Sequence, residues 1–163
     1  TLRRMNRKYD TARFYESVTL LRQYFHRPAV TTDLICGFPD ETNREFEQTM
    51  AFIEKCAFAD MHIFPYSVRP GTKAAELVQF SAAVKEERTR RAVAVARTMH
   101  RAYLEGCVGQ TYPVLYEQEK DGLYTGHATN YCEVCVRAED LHNKIIDTKI
   151  VGIDGDVLIG ELT

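Results

Sequence analysis

Residues 31–42, Thr-Thr-Asp-Leu-Ile-Cys-Gly-Phe-Pro-Asp-Glu-Thr, limit the possible folds of this chain more than any other stretch. β-Branched residues lead into an apolar run, the pattern of a buried strand. Gly37 and Pro39 stop that strand. Thr42, with Glu45 three residues later, has the spacing of a capping box and opens a helix. A strand, a tight loop and a capped helix form the unit of a parallel α/β fold. Ligands in such folds sit at the carboxyl ends of the strands. The Gly37–Glu41 loop is therefore where chemistry is expected. Asp33 interrupts the apolar run: either neighbouring backbone satisfies its carboxylate, or it looks into a barrel mouth.

Helical periodicity extends this unit. Phe14, Val18, Leu21 and Phe25 make one stripe over residues 11–26, and Pro28 ends that helix. Phe46, Met50, Ile53 and Ala57 make the buried face of the helix that Thr42 opens. Met61 to Phe64 reads as a second buried strand stopped by Pro65, with His62 packed and hydrogen-bonded inside it. Alternating helices and strands at this spacing imply right-handed βα crossovers. The basic residues 1–10 read as a strand tail entering a loop. Residues 81–105 form a long helix ended by Gly106. Its apolar side is Ala92, Val95, Ala96, Met99 and Tyr103, and Arg88, Arg90, Arg91, Arg97 and Arg101 make it the best polyanion candidate.

The pattern changes after Gly106. Residues 112–117, 123–127, 130–136, 144–153 and 157–162 read as five short strands, with Asp121-Gly122 and Asp154-Gly155 as hairpin signals. These predict a small antiparallel barrel of the oligonucleotide-binding type. Charge divides at the same place. Residues 1–106 carry 17 Lys and Arg against 13 Asp and Glu, and residues 107–163 carry 4 against 10. Two regions with different tasks, 1–106 and 107–163, follow from that asymmetry. The five cysteines are odd in number and scattered, which argues against a disulfide framework and for a reducing cytosol. Cys132 and Cys135 form a CxxC with no second ligand pair at zinc-site spacing, so no metal is expected there. No run approaches the roughly 20 apolar residues of a membrane span.

Three blocks together carry a family resemblance. They are Met5-Asn6-Arg7-Lys8-Tyr9, the stretch Thr32–Thr42, and His62-Ile63-Phe64-Pro65-Tyr66-Ser67-Val68-Arg69-Pro70-Gly71-Thr72-Lys73-Ala74. In this order they resemble the second half of the radical S-adenosylmethionine methylthiotransferases. The last 57 residues resemble the TRAM domain that ends those enzymes, with Gly126-His127-Ala128-Thr129-Asn130-Tyr131 similar to its threonine-asparagine-tyrosine signature. The details are most similar to the tRNA enzymes that methylthiolate C2 of N6-threonylcarbamoyladenosine at position 37, beside the anticodon.

The resemblance implies a partial (βα) radical-SAM barrel followed by the TRAM barrel. It implies S-adenosylmethionine and two [4Fe-4S] clusters for the complete enzyme. It gives this chain neither cluster's cysteines, hence no catalytic residue, no metal and no activity alone. Asp33, Ile35, Gly37, Phe64, Pro65, Tyr66 and Arg69 would lie along the cofactor. Asp33 and Asp40 stand where the family has glycines. Tyr124 and Tyr131 would stack on bases of the tRNA anticodon stem-loop. Arg137, Lys144 and Lys149 would form a basic patch, with Arg88 and Arg91 adding to it. A cytoplasmic enzyme piece that self-associates, swaps strands or hides its open barrel edge with its own helices is the expectation, and a stand-alone RNA-binding module is the alternative. An ordinary α/β enzyme with Asp33 as general base lacks a partnered nucleophile.

Overall fold

The computed structural model describes all 163 residues, which divide into two compact units, residues 1–99 and 100–163. The expected boundary at Gly106 lies near the end of a helix, α3 (Ala82–Cys107), and the units divide within it.

In the first unit, α1 (Thr11–Tyr24) is capped by Asp10, whose side chain accepts the Arg13 N–H at 2.8 Å. Strand β1 (Thr31–Cys36) follows, then α2 (Asn43–Cys56) and β2 (Asp60–Pro65). The strands pair in parallel with Asp33 opposite His62 and Ile35 opposite Phe64. Alternation along each strand gives the sheet two unlike faces. Leu34, Cys36, Met61 and Ile63 face the helices and join Val18, Phe46, Met50 and Ile53 in one core. Asp33, Ile35, His62 and Phe64 share the other face, where Asp33, His62 and Phe64 are exposed. His62 is thus not the packed residue expected from the sequence, because this face of the sheet has no helix against it. Each strand has one neighbour, so each keeps an unpaired edge.

The capping box at Thr42 is complete. Thr42 Oγ1 accepts the Glu45 N–H at 3.1 Å, and Glu45 accepts the Thr42 N–H at 2.8 Å. Ala57 leaves the helix in the left-handed region as its C-cap, and Cys56 takes the buried place expected for Ala57. Residues 1–10 form consecutive turns rather than a strand tail. From them Arg4 reaches both Glu45 oxygens at 2.8 Å. Those bonds, with the Thr42 N–H, hold the Glu45 carboxyl at about 2, below its ordinary 4.5. Glu45→Ala should therefore destabilise the chain by about 1–2 kcal/mol at pH 7, read by urea unfolding. The folded-state value is depressed, so the contribution is full above the ordinary value and is lost as pH falls through about 2. The gap between wild type and variant should close by then.

In the second unit, β3 (Thr111–Lys120), β4 (Leu123–Ala128), β5 (Glu133–Arg137), β6 (Lys144–Asp154) and β7 (Val157–Leu162) close into a barrel in the order β3-β4-β5-β7-β6. The sheet is mixed rather than purely antiparallel: β5 and β7 pair in parallel through Val134–Leu158 and Cys135–Ile159. These strands are not consecutive, and the long β6 lies between them in sequence. Val114, Tyr116, Val134, Ile150 and Leu158 fill the interior, each with 0% exposure, and Leu104 and Cys107 of α3 join them. The one interior polar pair is self-satisfying: the Tyr116 hydroxyl meets Thr148 Oγ1 at 2.8 Å.

Candidate functional site

Parallel pairing brings the carboxyl ends of β1 and β2 together. Past those ends, the Tyr66 N–H donates to the Cys36 carbonyl at 2.8 Å, and the Phe38 and Tyr66 rings meet edge to face at 5.2 Å. The first turns of α3 clamp both loops. Lys85 Nζ donates to the Tyr66 carbonyl at 3.1 Å and lies 5.3 Å from its ring. Arg88 Nη1 donates to Glu41 Oε2 at 2.7 Å and to the Glu41 carbonyl at 3.0 Å, and Nη2 donates to Asn43 Oδ1 at 3.0 Å. The Arg88 guanidinium also lies 4.6 Å from the Phe80 ring and 5.2 Å from the Phe46 ring. Glu41 in turn accepts the Gly37 N–H.

Both partners of this ion pair are buried, at 5% and 2% exposure. Burial pushes the Glu41 carboxyl up, against the pull of Arg88. Arg88 is accordingly a tie for the Gly37–Glu41 loop and is not available to an RNA phosphate, contrary to expectation. Gly37 is required where it stands: its φ is +70°, and a Cβ there would lie 2.8 Å from Lys85 Cγ. Burial drives the neighbouring Cys36 thiol up to about 11. It is thus protonated at neutral pH.

The residues expected along a cofactor separate into two groups. Asp33, Ile35 and Phe64 line a cleft of about 840 Å³ that also touches Met5, Arg7 and Glu45. That size suits a small-molecule ligand. Gly37, Pro65 and Tyr66 lie at the clamped strand ends instead, and Arg69 is exposed in the loop beyond. A nucleoside fits the open face in one respect, since Ile35 and Phe64 are apolar neighbours there. It fits less well at the backbone: the Tyr66 N–H is already engaged and Pro65 has none. The chain does not suit an iron–sulfur cluster. No three His, Cys, Asp or Glu groups stand where they could hold a metal ion, and four of the five cysteines are buried apart from any such group.

The residues expected to meet RNA are similarly divided. Arg91 binds both Glu47 oxygens at 2.8 Å, Arg90 pairs with Glu87, and Arg101 pairs with Glu105. With Arg88 buried, most of the helix's positive charge is already matched within the chain. Lys144 pairs with Asp140 at 2.6 Å. Lys149 lies five residues further along β6, about 16 Å away, so the two do not form one patch with Arg137. Tyr124 is half-buried against the barrel core. Tyr131 is 88% exposed and has φ +63°.

Its loop is well fixed. The Tyr131 N–H donates to the Ala128 carbonyl at 2.8 Å, and Asn130 Oδ1 accepts the Cys132 N–H at 3.2 Å. Asn130 Nδ2 reaches the Tyr103 hydroxyl at 3.2 Å. The threonine-asparagine-tyrosine triplet therefore makes a turn in which asparagine is the anchor and tyrosine the displayed side chain.

No protein-family model matches the chain. Among curated proteins it is similar to the threonylcarbamoyladenosine tRNA methylthiotransferase MtaB of Bacillus subtilis, with 34% identity over 157 residues, 92% of this chain and 35% of that protein. It is also similar to the tRNA-2-methylthio-N(6)-dimethylallyladenosine synthases of Trichlorobacter lovleyi (36% over 165 residues, 99% of this chain and 38% of that protein) and Orientia tsutsugamushi (32% over 168 residues, 99% and 37%). The chain spans little more than a third of the length of these relatives.

Proposed function

Because the chain is homologous along nearly its whole length to tRNA methylthiotransferases of the radical S-adenosylmethionine type, we propose that it is the carboxyl-terminal part of such an enzyme. The reaction replaces the hydrogen on C2 of a tRNA adenosine derivative with a methylthio group. Of the two substrates named among the relatives, we assign N6-threonylcarbamoyladenosine at position 37, on the motif details of the sequence. S-Adenosylmethionine and two [4Fe-4S] clusters supply the radical and sulfur chemistry in the complete enzyme. This chain holds neither cluster and is inactive alone.

In this reading residues 1–106 are the last part of a radical-SAM (βα) barrel and residues 107–163 a TRAM domain. Ile35 and Phe64 receive the adenine on the open face of the sheet, and the clamped Gly37 and Tyr66 loops bound it. Asp33 lies at the cleft for a polar group of the cofactor, and Arg69, in the loop beyond the strand ends, takes a carboxylate or phosphate. The second unit grips the tRNA anticodon stem-loop through Tyr131, with Arg137, Lys144 and Lys149 as separate phosphate contacts. The reaction takes place in the cytoplasm. The observation that carries the proposal is identity of 32–39% to these enzymes, reaching 99% of the chain.

The RNA half is tested by gel shift of this chain with an unmodified anticodon stem-loop. We expect binding that weakens as salt rises. A chain that binds the stem-loop no better than a scrambled hairpin would contradict the assignment.

A further inference from the structure

The outer face of the second barrel carries a cleft of about 430 Å³. Its floor is apolar: Leu115 and Ile145 are cross-strand partners on β3 and β6, 39% and 68% exposed, and Pro113 adjoins them. The Tyr131 ring forms one wall and the pair Glu117–His127 another. No lysine or arginine lines the cleft.

Glu117 owes its direction to a β-bulge. The β3–β4 register shifts between Tyr116 and Gln118, so Glu117 is the extra residue. Bulges of this kind re-aim a side chain. The bulge is secured from the far side by His142, whose Nδ1 lies 3.0 Å from the Glu117 carbonyl. Glu117 Oε2 then meets His127 Nδ1 at 2.7 Å. A carboxylate oxygen accepts, so His127 Nδ1 is the donor in this pair. The polar wall thus presents the acceptors of Glu117: Oε1 and the spare lone pair of Oε2.

We propose that this cleft is a guanine-binding subsite for an unstacked base of single-stranded RNA, a proposal that rests on the tRNA reading above. A displayed aromatic ring and an apolar floor suit a base face. The absence of cations makes phosphate the wrong occupant. A wall of acceptors selects a base with adjacent donors, and guanine offers N1–H and N2–H together on one edge. Uracil offers a single N–H between two acceptors, which the carboxylate repels.

The test is fluorescence anisotropy of this chain with labelled hexaribonucleotides, UUUGUU against UUUAUU, UUUCUU and UUUUUU, alongside the anticodon stem-loop. The guanine hexamer should bind about tenfold tighter than the uridine one, with a shallow salt slope. Tyr131→Ala should remove about tenfold, and Tyr131→Phe should keep wild-type affinity. Glu117→Gln should abolish the preference for guanine over adenine while its amide spectrum stays folded. Equal binding of all four hexamers, or a Tyr131→Ala chain that binds as wild type, would overturn the subsite. So would amide shifts at Leu115 and Ile145 on adding an arginine-rich peptide and none with any hexamer. Where the stem-loop still binds in those cases, the tRNA reading stands without the subsite; loss of all RNA binding removes both.

Discussion

Arg88→Met is expected to destabilise the chain by about 3–5 kcal/mol, the loss seen when one partner of a buried ion pair is removed. The variant leaves Glu41 buried without its cation and removes the donors to the Glu41 carbonyl and Asn43 Oδ1. It also removes a guanidinium lying between two phenyl rings. Because Glu41 holds the Gly37 N–H, the damage should appear first in the β1–α2 loop. Hydrogen exchange at Gly37 and Phe38 should accelerate more than at Ile53 in the core. Arg88→Met with Glu41→Gln should recover part of the loss, since no unpaired charge then remains. Urea unfolding of the single and double variants measures both effects. A single variant within 1 kcal/mol of wild type would show that Arg88 does not act as the tie.

Gly126→Ala is the second large effect. Gly126 lies on β4 opposite Tyr116 and is buried. A Cβ there would overlap the Leu115 carbonyl and stand 2.7 Å from Tyr116 Cα. These are backbone atoms, so no rotamer change relieves the clash, and β3 and β4 must separate. The expected loss is about 3 kcal/mol, at the upper end for overpacking. It should be accompanied by broadened methyl signals from Val114 and Val134, which share the barrel core. Gly155→Ala makes the contrast: its φ is +59° but nothing lies within 4 Å of a Cβ there, so only modest backbone strain is added.

The sequence and the structure agree where local chemistry decides. Thr42 and Glu45 stand three residues apart at one helix end, and their capping box forms as that spacing requires. Asp121-Gly122 turns with positive φ at both residues, as a two-residue hairpin needs. Each of the five expected barrel stretches contains a strand, but β5 starts at Glu133, three residues later than expected, because Asn130 and Tyr131 form a turn. What escaped was set by contacts distant in sequence. Arg88 sits among charged residues and reads as solvent-facing, yet its partner is 47 residues away. A signal was present: Arg88 is one helical turn before Ala92 and two before Ala96, so it continues the apolar side of α3. The parallel β5–β7 pair was hidden for a similar reason, because consecutive antiparallel hairpins say nothing about which strands close a barrel. His62 reads as packed under the usual rule that parallel strands are covered on both faces, whereas Asp33 takes the second of its two readings and faces a cleft. Here one face is open, and it carries three of the candidate cofactor residues, Asp33, Ile35 and Phe64.

Mass spectrometry of tRNA nucleosides from cells in which this coding sequence is interrupted tests the functional account most directly. It predicts that 2-methylthio-N6-threonylcarbamoyladenosine disappears, that N6-threonylcarbamoyladenosine accumulates in its place, and that the intact gene restores the modified form. An unchanged nucleoside profile, or loss confined to the dimethylallyl derivative, would contradict it.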